Sequence, residues 1–332
     1  MQQQPLAPAS EDLSVSVVLR TYTDKRWDLL VKAIESIRAQ IVPAQEIVLV
    51  VDHNQSLFER AQAVLPDVCV VENTEPQGSA GAWNSGVAAA QCDIVAFTDD
   101  DAIAAPDWIM QLLRGYTSPD IAGVGGTIEP LWLEGRPAWF PAEFNWVVGC
   151  TYRGMPEQDA PIRNLIGCNM SFRRSVLNAV GPFQQGIGHV AGKPVGGDET
   201  ELCIRLRQRL PHLILLQRPS ARVQHQIPAS RTTWRYFRSR CALEGYSKAL
   251  VTHYVGAQQG LASERAYTMR TLPAGVLRGA GDALRGDIGG LGRAGAILVG
   301  LGTTTASYAT SWIINRWQRR RLTTKASAIH TL

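Results

Sequence analysis

The chain has no clustered or closely paired cysteines. Its six, Cys69, Cys92, Cys150, Cys168, Cys203 and Cys241, are scattered over 332 residues with no C-x-x-C pair. That excludes a disulfide-built secreted scaffold and fits a reducing compartment. Strong charge of either sign is also missing: 33 Lys and Arg stand against 29 Asp and Glu, a formal net charge of +4. Bulk electrostatics therefore give no general nucleic-acid binder. The opening MQQQPLAPASEDLS lacks the basic start and apolar core of a signal peptide and reads as a disordered leader over residues 1–13. RTYTDKRW, which follows the first apolar run, contains no glycine, so the usual phosphate loop after a first strand is absent. PQGSAGAWNSGVAAAQ places Gly78, Gly81 and Gly86 around a helix start without forming a dinucleotide or Walker fingerprint.

What is present is organised around CDIVAFTDDDAIAAPDW, where the apolar run Ile94 to Phe97 ends in Asp99, Asp100 and Asp101. A short apolar run closed by polar residues reads as a buried strand, and ligands gather at the carboxyl ends of such strands. Three adjacent carboxylates repel one another and call for a cation, most simply a hard divalent metal. The competing reading is a solvated acidic turn ahead of the helix near Pro106.

Strand and helix patterns alternate along the first half. SVSVVL is followed by apolar residues at helical spacing (Trp27, Leu30, Val31, Ile34, Ile37), then come EIVLVVDHN, a helix to Leu65, VCVVEN and the acid-tipped strand. This order predicts a doubly wound, right-handed, mostly parallel sheet of α/β class, with RTYTD, DHN and TDDD on one rim. Periodicity is lost from Leu131 to Arg163, where Trp132, Trp139, Phe140, Trp146 and Tyr152 gather. Such an insertion is either a satellite hydrophobic cluster or a sugar-stacking surface. A glycine-rich loop, GIGHVAGKPVGG, then delivers Asp198, Glu199 and Glu201 to a helix start, where acids also serve the helix dipole. His225 is either a metal ligand or an ordinary satisfied histidine.

The C-terminal part carries one apolar stripe, Leu277, Leu284, Ile288 and Leu291, with Arg278 and Arg285 beside it, a pattern suited to a membrane surface. No charged residue occurs from Ala294 to Asn315, and Arg316, Arg319, Arg320 and Arg321 follow. The expectation is peripheral attachment or a single C-terminal anchor at the cytoplasmic face of the cell membrane.

Taken in order, these motifs resemble the family-2 inverting glycosyltransferases with the GT-A fold, from about Ser14 to about Ser247. SVSVVLRTYTDKRWDLLVKAIESIRAQ, EIVLVVDHN, NTEPQGSAGAWNSGVAAAQCDIVAFTDDDA, GCNMSFRRSVLNAVGPF and GGDETELCIR match in sequence order. Departures are His53 where a second acid is common, Arg20 where a Pro is common, and Asp198-Glu199 in place of Glu-Asp. The resemblance implies a mixed, mostly parallel, Rossmann-like sheet over 14–230, with a donor half at 14–130 and an acceptor half at 131–230. A helical extension (231–272), membrane-associating helices (273–321) and a tail (322–332) complete the expected layout. It implies donor contacts from Thr21, Tyr22, Asp52, Asn84, Asp99 and Asp100, and a Mg²⁺ or Mn²⁺ ion on Asp99 and Asp101, with His225 as a further ligand. The catalytic base is expected at Glu199 beside Asp198, and the acceptor at Trp139, Trp146 and Asn169. The expected partners are a nucleotide-sugar donor, uridine-based by the Asp52 match, a lipid-linked or cell-envelope glycan acceptor and the membrane. The rival readings are a nucleotidyltransferase acting on sugar phosphates, against which the glycine-free RTYTDKRW speaks, and a non-catalytic nucleotide-sugar-binding membrane protein, against which both acid clusters speak. A phosphatase or dehalogenase would want a Thr soon after the acids, where Ala102 and Ile103 stand.

Overall fold

The structure, a computed structural model, describes residues 13–190, 193, 194, 196–255 and 264–329. Residues 1–12 of the expected leader, part of the glycine-rich loop and the last three residues of the tail lie outside the described residues, while Leu13 is already buried in the core.

Valine and isoleucine runs buried on both faces are what a covered parallel sheet demands. β1 (Val15–Thr21), β2 (Glu46–Val51), β3 (Cys69–Glu72) and β4 (Ile94–Asp99) form such a parallel set. Their side chains alternate between two cores. Val15, Val17 and Leu19 join Ile47, Leu49 and Val51 under helices α1 (Trp27–Arg38) and α2 (Gln55–Val64). Val18, Val48 and Val50 face α3 (Ser79–Ala89) on the other side. The sheet is thus wound on both faces, as the period-2 pattern requires.

After β4 come the short β5 (Ala102–Ala104), α4 (Trp108–Arg114), β6 (Ile121–Trp132), β7 (Ala160–Pro161), β8 (Met170–Arg173) and α5 (Arg174–Val180). A hairpin of β9 (His189–Val190) and β10 (Lys193–Pro194), helix α6 (Asp198–Arg209) and the long β11 (Ile214–Ile227) follow. The strand order is β3-β2-β1-β4-β8-β6-β11-β5, with β7 on β11. β6 and β11 run parallel, whereas β8 runs antiparallel between β4 and β6, which makes the sheet mixed. Because β1 pairs with β2 on one side and β4 on the other, the order reverses at β1 and β4. Their carboxyl ends open the crevice where open α/β sheets bind ligands.

Among the described residues, three long helices lie beyond the sheet: α7 (Trp234–Val255), α8 (Leu272–Leu284), which continues from the helical turns over 264–271, and α9 (Gly289–Ile329). They pack on one another and on the aromatic insertion. A Cβ at Gly245 would meet the Thr304 carbonyl oxygen at 2.2 Å, so α7 and α9 approach at backbone distance. The Thr304 and Ser307 hydroxyls donate to the Cys241 and Ala242 carbonyls at 3.1 and 2.6 Å. Ala296 and Ile297 are buried, yet Leu298, Val299, Ile313 and Ile314 are exposed. The uncharged stretch 294–315 is therefore two-faced, and no helix among the described residues is long and apolar enough to cross a membrane. This corrects the expectation of a single spanning anchor: two of its hydroxyl residues, Thr304 and Ser307, are spent on α7.

Candidate active site

The three acids face different neighbours. Asp99, last in β4, is the ladder partner of Arg20, whose Nε donates to Asp99 Oδ1 at 3.2 Å. The Arg20 guanidinium also lies 4.4 Å over the Trp83 ring. Burial disfavours its charge, but Asp99, Asp198 and Glu199 more than offset this and hold its pKa above the ordinary value. Asp100 is buried and accepts from Thr21 Oγ1 at 2.8 Å and from the Arg26 guanidinium at 2.6 Å. Burial lifts its carboxyl to about 6 despite Arg26, with Asp101 pushing the same way. Asp101, also buried, accepts from His225 Nε2 at 3.0 Å, with Arg26 and Arg231 at 3.3 and 3.5 Å. Burial would raise the Asp101 pKa, but His225 and the two arginines hold it well below the carboxylate range. Burial likewise opposes the charge on His225, and Asp101 outweighs it, so the imidazole titrates well above its usual value. Arg20, Arg26, His225 and Arg231 supply counter-charges to the three acids.

The second acid cluster faces the same space. Gly197, at φ +105°, turns the chain into α6 in a left-handed conformation that other residues rarely adopt. Asp198 and Glu199 then open the helix. Burial pushes the Glu199 carboxyl well above its usual range, and the charge and hydrogen bond of Asp198 add to that. Glu201 takes no part, since its two oxygens accept from Arg205 at 2.7 and 2.9 Å.

A cavity of about 400 Å³ joins these groups, lined by Arg20 and Asp99, by Asp198 and Glu199, and by His225. Its far half is built by residues that sequence reasoning did not assign to the site. Arg240, Glu244 and Lys248 come from α7, and Leu301, Thr304 and Tyr308 from α9, with Arg163 from the insertion's end. Helical spacing on α7 (240, 244, 248) was the available signal.

The remaining expected site residues are divided. Tyr22 is 53% exposed at the rim and its hydroxyl accepts from Arg26 at 3.0 Å. Asp52 accepts from Asn73 Nδ2 at 2.6 Å and the Gly78 amide at 3.0 Å, beside His53. Trp146 lines the cavity and donates to the Tyr267 hydroxyl at 3.0 Å. Thr21, Tyr22, Asp52, Asp100 and Asp101 do not line the cavity, and neither do the remaining three. Asn84 clasps the Phe183 backbone through both ends of its amide, at 2.7 and 3.1 Å. Asn169 is buried, tying Trp108 to the Thr127 and Ala221 carbonyls. Trp139 stacks on Trp234 with ring centres 4.3 Å apart and packs with Phe140 and Phe237 on the main core under β1.

A ready metal cage is not formed: among the described residues no three His, Cys, Asp or Glu side chains are grouped as one. Asp101 and His225 are in contact through a proton on Nε2, so His225 would have to lose that proton before the carboxylate and imidazole could together hold a transition ion such as Mn²⁺, with a substrate's phosphate oxygens completing the shell. The donor set fits the metal in that partial sense.

A mixed sheet with acids at the β1/β4 switch point, and a second acid pair across the crevice, defines a GT-A-type glycosyltransferase. The comparisons agree: the signature of "Glycosyl transferase family 2" matches residues 16–181. The chain is 36% identical over 243 residues to the glucosyl-dolichyl phosphate glucuronosyltransferase of Haloferax volcanii, covering 72% of this chain and 77% of that one. The chain belongs to glycosyltransferase family 2 and is a glycosyltransferase. Its fold is shared by the Pyrobaculum calidifontis mannosyltransferase PcManGT in complex with GDP-Man and Mn²⁺, with a TM-score of 0.53 and 18% identity over 91% of this chain and 90% of that one. GalNAc-T7 with UDP, GalNAc and Mn²⁺ gives a TM-score of 0.51 and 16% identity, over 80% of this chain and 54% of that chain.

Proposed function

We propose that the enzyme is a metal-dependent, inverting transferase that moves a sugar from a nucleoside-diphosphate sugar, uridine-based by the Asp52 resemblance, to a lipid-linked acceptor at the cytoplasmic face of a membrane. The observation that carries the reading is one cavity lined together by Asp99, His225, Asp198 and Glu199. Asp99 and Asp101, with His225 once it has lost its proton, would hold the divalent ion, which would supply positive charge against the departing diphosphate. Glu199 takes the proton of the attacking hydroxyl. As that oxygen bonds to the anomeric carbon, the bond to the diphosphate breaks and its electron pair leaves with the phosphate oxygen. A single displacement inverts the anomeric centre and needs no enzyme nucleophile. Burial and Asp198 raise the Glu199 carboxyl above its usual range, which makes its ionised form a stronger proton acceptor.

Several features support a lipid-linked acceptor. The related enzyme's name specifies a dolichyl phosphate sugar. The far half of the cavity combines Arg163, Arg240 and Lys248 with Val251, Leu272 and Leu301, a cationic and apolar lining that suits a phosphate on a lipid. Leu277, Leu284, Ile288 and Leu291 stand 61 to 90% exposed along α8 and the start of α9, a surface suited to the bilayer interface. The test is a panel of nucleotide sugars with polyprenyl-phosphate-linked acceptors. Metal-dependent transfer from one of them supports the reading, and transfer to soluble glycans alone contradicts the lipid acceptor.

A further inference from the structure

A second cavity, of about 310 Å³, lies between the 136–153 stretch and helices α8 and α9, and it shares no lining residue with the catalytic cavity. Four guanidiniums line it, those of Arg136, Arg153, Arg278 and Arg293, against the carboxylates of Glu143 and Asp282. Three of the four form ion pairs. Arg278 donates to Glu143 Oε1 at 2.6 Å, and Arg293 reaches Asp282 at 2.8 Å and Asp287 at 2.6 Å. Arg153 lies 3.5 Å from the Glu143 oxygen that Arg278 already holds.

Arg136 forms no ion pair among the described residues; its guanidinium donates only to the Phe140 carbonyl at 3.2 Å and to Asn145 Oδ1 at 3.1 Å. Burial draws its pKa below the ordinary value, and Arg153 and Arg293 add to that against Glu143. Cations concentrated in a half-enclosed cavity are costly without an anion to share. Guanidinium forks match the paired oxygens of a phosphate group better than any other common anion-binding side chain.

We propose that this cavity binds a phosphate mono- or diester, and that it does so independently of the transfer reaction. The source favoured by its surroundings is an anionic phospholipid headgroup. Helix α8 contributes Arg278 to the cavity, while its Leu277 and Leu284 are 73 and 90% exposed. A helix that combines a phosphate cradle with protruding leucines suits the interface of an anionic bilayer.

The experiment uses the full-length protein and its Arg136→Gln and Arg153→Gln variants. Inorganic phosphate binding is read by calorimetry, and flotation is read with phosphatidylcholine vesicles with and without phosphatidylglycerol. Nucleotide binding at the catalytic cavity is read in parallel, so a failure of the proposed function registers separately. Binding that falls roughly tenfold or more in the variants is expected, since each loses a charge-assisted hydrogen bond. Loss on phosphatidylglycerol vesicles with no phosphate binding assigns the site to lipid, and loss of free phosphate binding assigns it to a soluble phosphate compound. Arg153 is partly exposed, so its variant serves should Arg136→Gln not fold. Wild type that binds neither ligand, or folded variants that bind as wild type does, overturns the proposal.

Discussion

The Nε2 of His225, on β11, stands 3.0 Å from Oδ1 of Asp101, the third of the consecutive acids beyond β4. The two are brought together because β11 pairs antiparallel with β5, where His225 is the ladder partner of Ala102. An acidic run and a remote histidine thus become one buried polar pair, with His225 also lining the cavity. His225→Ala is expected to weaken Mn²⁺-dependent nucleotide binding by about 100-fold, at the upper end of what lost ligand support costs. Titration of nucleotide at fixed Mn²⁺ checks it, and an unchanged affinity removes His225 from the metal site.

Glu199→Gln is expected to lower turnover by roughly 10²- to 10⁴-fold, the usual share of a general base, while leaving donor affinity nearly unchanged. Asp198→Asn is expected to do less. Turnover beside donor affinity for each variant decides: if Asp198→Asn is inactive and Glu199→Gln is not, the base is Asp198.

Stability should also depend on pH through Glu199. Its folded pKa is raised by burial and by Asp198, so its neutral form favours the fold. That contribution is complete below the unfolded value, about 4.3, and is lost as pH rises through the folded one. Glu199→Gln, permanently neutral, should gain on wild type in melting temperature as pH is raised from about 4 upward. A difference that stays flat or shrinks over that range contradicts the buried-carboxyl account.

The contact between α7 and α9 is testable at Gly245, where a Cβ would lie 2.2 Å from the Thr304 carbonyl oxygen. Gly245→Val is expected to cost about 1–3 kcal/mol, as overpacking does, and to lower turnover, because Thr304 and Leu301 wall the catalytic cavity. A variant with wild-type stability and turnover shows that the extension is separable from the site.

Much of this was readable from local pattern. The apolar runs tipped by Asp52 and by Asp99, and the acids opening α6, each declare a strand end or a helix start within a few residues. What no local pattern carries is pairing across the sheet. Arg26 and Arg231 lie far from Asp101 in sequence, so their role as its counter-charges emerges only with the fold. The stretch 294–315 misleads for a different reason. Its lack of charge is shared by lipid-facing and protein-facing helices, and only Thr304 and Ser307 donating to α7 show that one face is packed on the enzyme. Aromatic density in the insertion was similarly ambiguous, and the fold divides it, with Trp139 packed on the main core and Trp146 at the cavity.

The central claim, metal-dependent inverting transfer carried by Asp101, His225 and Glu199, is tested most directly by single-turnover transfer from a nucleotide sugar to a polyprenyl-phosphate-linked acceptor. Product anomeric configuration is read by NMR, with Mn²⁺ and with excess chelator, for wild type and Asp101→Asn. The expected result is an inverted anomeric centre, with transfer abolished by chelator and by the substitution. Full transfer in chelator, or a product that retains the donor's configuration, contradicts it.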